Sequence, residues 1–443
     1  MFYRLEKPDL TKIDKVKVFD IFQKHLEIFD YLYDTFSPYA YWDKIKYKKI
    51  PDYISHEEFW WLVKIIRNLP SFKNKNFIIE NENGEHFVYM KLPGIDKFLH
   101  EMDLDTGGVL VGEGKDLQKI NNQKLISRGI IEEAIASSQL EGANTTRKLA
   151  KQFLREGRKP KNKAEQMILN NYTTMQLIEE SYKNKKLNED LLFELHGLIT
   201  KNTIPENEVG RFRKDEEEII VGNQEDVIYH GPPKIDFVKK EIKKFIKFAN
   251  DELREPFIHP IIKAIMIHFW VGYLHPFTDG NGRLARLLFY WYLLRNNYWA
   301  FAYLPISLMI KKSPQQYMMA YVYSEQDDLD LTYFIDYNIE KIKLALANFK
   351  EYIKKQIEGN QGITDSLRVK YNLNDRQIQL LRFYNENKNA STILKVYKNI
   401  NKISKKTAIK DLKQLTDAGF LIRRKQGRKI YYYATENVSS LFA

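Results

Sequence analysis

The chain has 443 residues, 44% apolar side chains and a formal net charge of +12, which excludes a disordered chain and predicts two or three folded domains. It contains no cysteine, which excludes disulfides, thiolate metal sites and thiol catalysis. Met1 to Lys7 lack the apolar run of a signal peptide, and no apolar stretch is long enough to span a bilayer, so the expectation is a cytoplasmic protein with no membrane partner.

In chain order, residues 1–115 read as an α+β region. It holds helical patterns, an aromatic patch (Tyr39, Tyr41, Trp42, Phe59, Trp60, Trp61) expected in a core or domain seam, and a hairpin. The hairpin pairs 76–79 with 86–89 around the turn Asn81-Glu82-Asn83-Gly84. Residues 105–114 read as a glycine-containing loop. Residues 116–357 read as almost entirely helical, interrupted by a short hairpin of Ile219, Ile220 and Val221 against Val227 to Tyr229, and by the loop Gly280 to Gly282. Gly359 to Gly362 reads as a linker to a small domain, 365–443. That domain is expected to hold helices at 375–387, 391–397 and 405–418, then two strands, 421–424 and 429–433. The fold class is therefore mainly α, with a β-hairpin in the helical core, an N-terminal α+β region and a C-terminal helix-helix-helix-wing unit.

The glycine-dense loop carries the chemistry. Two apolar helices, Pro260 to Tyr273 and Leu284 to Leu294, flank His275-Pro276-Phe277-Thr278-Asp279-Gly280-Asn281-Gly282-Arg283. Gly280, Asn281 and Gly282 let backbone amides approach a ligand, and the next helix aims its N-terminus at the same place. Arg283 and Arg286, three apart, are expected to project toward one end and hold polyphosphate. Asp279 supplies one carboxylate, suited to Mg2+ shared with substrate phosphates. His275 can take a proton near neutral pH. Singly, each residue has a structural explanation; a base, a metal ligand, an anion nest and two cations within twelve residues point to phosphate chemistry.

His275 to Arg286 resembles the Fic signature, HPFx(D/E)GNGRxxR, at every fixed position. The resemblance implies a helical Fic core over roughly 120–350 and Mg2+-dependent transfer of AMP from ATP to a serine, threonine or tyrosine hydroxyl. It assigns His275 as base, Asp279 to the metal, and Phe277 as the loop's anchor. It places Gly280, Asn281 and Gly282 at the nucleotide phosphates, and Arg283 and Arg286 at the distal ones. Doc-type kinases usually carry lysine where this chain has Gly282, which favours nucleotidyl transfer. Glu208 to Arg213 and Tyr229 to Pro233 resemble the segments bracketing the family's flap. The hairpin of Ile219, Ile220, Val221 and Val227 would add a target's backbone as a strand.

Ser137, Glu141 and Gly142 close a predicted helix and resemble the family's inhibitory helix, (S/T)xxxE(G/N), over about 127–142. The resemblance implies that Glu141 pairs with Arg286 and competes with the γ-phosphate. The last unit resembles a winged helix-turn-helix, with Lys405, Lys406, Lys410, Arg423, Arg424, Lys425, Arg428 and Lys429 concentrated on its third helix and wing, an arrangement that suits DNA binding, with protein contact or dimerisation as the alternative. The expectation is an autoinhibited protein adenylyltransferase acting on a target protein or itself. The alternatives are a nucleotide-sensing DNA-binding regulator, or a Fic enzyme using another nucleoside triphosphate or removing AMP. A homodimer is compatible with the sequence.

Overall fold

The computed structural model describes residues 1–69, 73–74, 78–104, 122–217, 219–222, 227–387, 390–427 and 429–441, with the backbone alone at 73–74, 122–125, 356–365 and 386. The expected loop at 105–114 lies outside the described residues. Helices dominate, as the 3.6-residue patterns predict.

At the centre, helices Pro260–Leu274 and Asn281–Arg295 pack against each other, and nearly every side chain of both is buried. Such all-round apolar helices need partners on every side. Asn122–Leu140, Lys163–Glu180, Glu189–Thr200, Ile235–Ala249, Pro314–Gln326 and the start of Thr332–Tyr371 supply them. One continuous apolar core runs from Leu5 to Phe349, so the N-terminal region shares its core with the helical body. The seam is polar where it must be. Buried Arg67 lies 3.8 Å over the Tyr39 ring and donates to Tyr333 Oη at 2.9 Å and to the Ala40 carbonyl at 2.8 Å.

Three expectations change. The hairpin's turn holds, with Gly84 at φ 78° and Phe87 N–H donating to the Ile79 carbonyl at 2.9 Å, but the described ladder is Lys73–Asn74 against Tyr89–Met90. Residues 76–77, part of the expected first strand, are outside the described residues. Gly359 to Gly362, expected as a linker, lies between the two cores but within helix Thr332–Tyr371, so the connection is helical although each glycine costs about 1 kcal/mol against alanine. Finally, 391–397 is not one helix. Ser391–Ile393 is a strand paired with Tyr431 to Tyr433, and the helix is Leu394–Asn401. Thr392 and Ile393 are β-branched and suit the half-buried sheet.

The C-terminal unit has its own core, from Leu367 to Val438. Helices Asp375–Glu386, Leu394–Asn401 and Lys405–Asp417 cover a sheet in which Lys429–Ala434 lies between Ser391–Ile393 and Leu421–Gln426. It touches the body where Arg155 lies 4.9 Å over the Phe383 ring.

Candidate active site

His275 ends helix Pro260–Leu274 in the left-handed region, φ 46°. Its Nδ1–H donates to the Gly272 carbonyl at 3.0 Å, which leaves Nε2 as the acceptor. Burial pulls its pKa down to about 4, and the neighbouring His230 charge pulls the same way. The imidazole is therefore neutral at pH 7.

The turn around it is held by the two ends of the hairpin. Arg213 donates its N–H to the Pro276 carbonyl at 2.9 Å and its Nε–H to the His275 carbonyl at 2.8 Å, and its Nη2 reaches the Pro233 carbonyl. His230 Nε2–H donates to the Tyr273 carbonyl at 2.8 Å, and Nδ1 lies 2.8 Å from Glu325 Oε2. A carbonyl can only accept, and a carboxylate prefers to, so His230 serves as a double donor. Burial opposes its charge, but Glu325 wins and the pKa is raised.

Phe277 is fully buried and stacks on His196, centroids 3.8 Å apart. His196 accepts from Gly210 N–H at 3.1 Å on Nδ1, so Nε2 carries the proton it donates to the Asp279 carbonyl at 3.0 Å. Burial lowers the His196 pKa to about 4. Gly280 has φ 85°, and a Cβ there would lie 2.8 Å from the Thr200 methyl, so only glycine fits. The side chain of Asn281 is spent on the loop itself: Oδ1 accepts from Phe277 N–H at 2.9 Å and Nδ2 donates to the Phe277 carbonyl at 2.7 Å.

Both arginines reach the glycine-rich start of their helix, where a Cβ on Gly280 would lie 3.6 Å from Arg283 Nη2 and one on Gly282 3.1 Å from Arg286 Nη1, but they bind different partners. Arg283 is fully buried, with Nη1 on the Ile199 carbonyl at 2.8 Å and Nη2 on Asp279 Oδ1 at 3.1 Å. Arg286 binds the end of helix Asn122–Leu140 and the residue just beyond it. Its Nε donates to Ser137 Oγ at 2.9 Å, and its Nη2 to the Ser137 carbonyl at 3.0 Å and Glu141 Oε1 at 2.9 Å. Burial works against the Arg286 charge, but Glu141, then Tyr317, hold its pKa above the usual arginine value. A Cβ on Gly282 would lie 2.3 Å from Glu141 Oε1, so the carboxylate rests on that glycine at the first turn of helix Asn281–Arg295, where the helix dipole favours an anion. Gly142, at φ 87°, turns the chain away just beyond.

Helix Asn122–Leu140, which carries Ser137, is itself anchored. Buried Glu133 accepts from Tyr290 Oη at 2.8 Å and Ser307 N–H at 2.9 Å. Glu132 accepts from Arg147 Nε at 2.7 Å. In the hairpin, Val221 pairs with His230 and Gly222 with Ile228; Ile219, Val221 and Val227 are half-buried, and Ile220 is exposed. The turn at 223–226 lies outside the described residues.

Arg213 and His230 lie within the segments that bracket the hairpin, but the sequence gives neither a task, and it does not mark His196 or Glu325 at all. A lone histidine on an apolar helix carries no signal of its partners. Asp279 Oδ1 also accepts from Gly280 N–H, and the side chain is partly exposed. Among the described residues no cluster of three histidines or carboxylates could cage a metal ion. One open carboxylate beside an anion nest fits Mg2+ carried in with substrate phosphates.

Residues 186–293 match the Fic/DOC family. The chain is 27% identical over 186 residues to the protein adenylyltransferase fic-1 of Caenorhabditis elegans, covering 42% of this chain and 32% of that one. It is 34% identical over 116 residues to the protein adenylyltransferase Fic of Nematostella vectensis, covering 26% of this chain and 24% of the relative. The matched part thus spans a third or less of these relatives' length. Among solved structures, a Fic family protein from Desulfovibrio desulfuricans superposes with a TM-score of 0.49 at 19% identity, covering 79% of this chain and 98% of that one.

Proposed function

We propose that this protein transfers AMP from ATP to a hydroxyl of a protein, and that the conformation described here is its restrained state. The observation that carries the reading is the orientation of His275. With Nδ1–H held by the Gly272 carbonyl, Nε2 is left as a neutral proton acceptor on the loop that leads into a glycine-lined helix N-terminus. The target hydroxyl gives its proton to Nε2 as its oxygen attacks the α-phosphorus, and pyrophosphate leaves. The amides of the loop balance the charge on the transferring group. Asp279 would hold Mg2+, which neutralises phosphate charge when bound.

The restraint is Glu141. Its carboxylate takes the Arg286 guanidinium and the space over Gly282, where a terminal phosphate would otherwise be received. Incubation with ATP and intact-mass measurement tests the whole reading. A mass gain of one AMP on Glu141→Gly protein or on a lysate protein, abolished by His275→Ala, supports it; no gain from either form with ATP rejects it.

A second role rests on the C-terminal unit, which we read as a winged helix that binds duplex DNA. Helix Lys405–Asp417 exposes Lys405, Lys406, Lys410 and Lys413, and the hairpin beside it exposes Arg423, Arg424, Lys425 and Lys429. A basic helix flanked by a basic hairpin matches a major groove and its phosphates.

A further inference from the structure

The helix that carries Ser137 lines a cavity of about 210 Å3. Arg128, Gly129 and Glu132, which share one helical face, give the first wall. The segment 303–312 gives the second, and helix Thr332–Tyr371 gives the third through Ala345, Asn348 and Phe349. Gly129 lets the first two walls meet, because a Cβ there would lie 2.6 Å from Tyr303 Cα. Glu133 ties the same two walls by accepting from Ser307 N–H at 2.9 Å.

The lining is of two kinds. Tyr303, Leu308, Met309 and Phe349 are apolar or aromatic, and the Tyr303 and Phe349 rings stack with centroids 5.6 Å apart. The charged residues are three cations, Arg128, Arg147 and Lys312, and one carboxylate, Glu132. Glu132 is already used: it accepts from Arg147 Nε at 2.7 Å and pairs with Lys151. The Arg128 guanidinium lies 3.4 Å from the Tyr352 ring centroid. Neither it nor the Lys312 ammonium meets a carboxylate among the described residues. The cavity therefore carries positive charge in excess.

A dry apolar cavity of about 150 Å3 holds benzene. This one is larger and has cations in its lining, so it accommodates a ring bearing an anionic group. The stacked rings suit an aromatic face, and a planar guanidinium suits a carboxylate. We propose that this cavity binds a small aromatic carboxylate and that the occupant clamps helix Asn122–Leu140 against its two neighbours. The clamp acts by linkage: a ligand that touches all three walls binds the docked helix and not the opened one. Ser137 lies on the same helix, so the occupant also steadies its contact with Arg286. Only the consequence of that for transfer rests on the AMP-transfer reading.

Amide exchange on the full chain tests this, with naphthalene-1-carboxylate as the probe and naphthalene-1-methanol as its neutral counterpart. The carboxylate is expected to saturate with a Kd of roughly 1 mM or below. At ten times that Kd it should slow exchange at 126–138 and 303–312 about tenfold. The alcohol should bind about tenfold more weakly or worse. Arg128→Gln together with Lys312→Gln should remove the preference for the carboxylate. Leu308→Trp, which fills the cavity and keeps the cations, should abolish protection by either probe. Equal protection by acid and alcohol in the unmodified protein overturns the proposal, as does protection that survives Leu308→Trp. Faster exchange at 134–140 on binding would make the occupant a wedge and overturn the clamp. No arm uses ATP, so the result stands apart from whether the protein transfers AMP.

Discussion

Arg286 Nη2 lies 2.9 Å from Glu141 Oε1, and the same nitrogen also donates to the Ser137 carbonyl at 3.0 Å. This contact is the one proposed above as the restraint. Glu141→Gly is expected to raise AMP transfer, self-modification included, by roughly ten- to a hundredfold, the equivalent of one charge-assisted hydrogen bond at about 1.5–3 kcal/mol. Rates with labelled ATP check this, and equal rates would show that Glu141 is no brake. Ser137→Ala, which keeps the backbone carbonyl, should give a smaller rise.

The brake also depends on how closely its helix docks. A Cβ on Gly129 would lie 2.4 Å from the Ala302 carbonyl oxygen and 2.6 Å from Tyr303 Cα, both backbone atoms that cannot swing aside. Gly129→Ala should cost about 1–3 kcal/mol. It should lower the thermal midpoint and, by displacing Ser137 and Glu141, raise AMP transfer above the parent. An unchanged midpoint and rate would contradict this packing.

His196 should be as necessary as the residues of the loop. His196→Leu keeps bulk against Phe277 but leaves the Gly210 N–H and the Asp279 carbonyl without a partner. The expected loss is about 1–3 kcal/mol per unsatisfied buried group. Denaturant unfolding measures it, and transfer by Glu141→Gly protein should fall with the loop's order.

Acid should weaken the fold before it reaches the carboxylates. His196 and His275 have folded pKa values near 4, below the ordinary histidine value of 6.5, so the unfolded chain binds more protons between these limits. Their stabilising neutrality is complete above about 6.5 and is lost as pH falls through about 4. His268, lowered by burial and Arg286, acts in the same sense, while His230, raised by Glu325, opposes it. Thermal midpoints should drop between about pH 6.5 and 4, and AMP transfer by Glu141→Gly protein should stay level above about pH 5. A rate that halves near pH 6.5, the ordinary histidine value, would show His275 to be less shielded than its surroundings imply.

If the C-terminal unit binds duplex DNA, affinity should fall steeply with salt. Lys406→Glu together with Lys410→Glu should reduce the salt slope by about one for each phosphate no longer neutralised. A gel shift series across salt concentrations measures this, and absence of binding at low salt would leave the unit a protein-binding module.

Much of the site was legible because it is local. The loop from His275 to Gly282 is read from contiguous residues, and Gly280 at φ 85° and His275 at a helix end follow from neighbours in the chain. The contact of Ser137 and Glu141 with Arg286 was legible through a short motif that happens to end a helix. The partners were not. Ser137 and Arg286 are 149 residues apart, His196 and Asp279 83, and Met1 to Tyr3 meet Ile228 across more than half the chain. The choice of partners by Arg283 and Arg286 is of the same kind. Their spacing puts both on one helix, but the Ile199 carbonyl and the Ser137–Glu141 pair, brought in by other helices, decide where each guanidinium goes. Backbone torsions and turn chemistry act within a few residues, so the sequence alone determined the loop and its chemical vocabulary. Burial and hydrogen bonding between distant segments set which groups are charged, which are already taken and which strand of the hairpin Met1 to Tyr3 meet, and only the tertiary structure decided those.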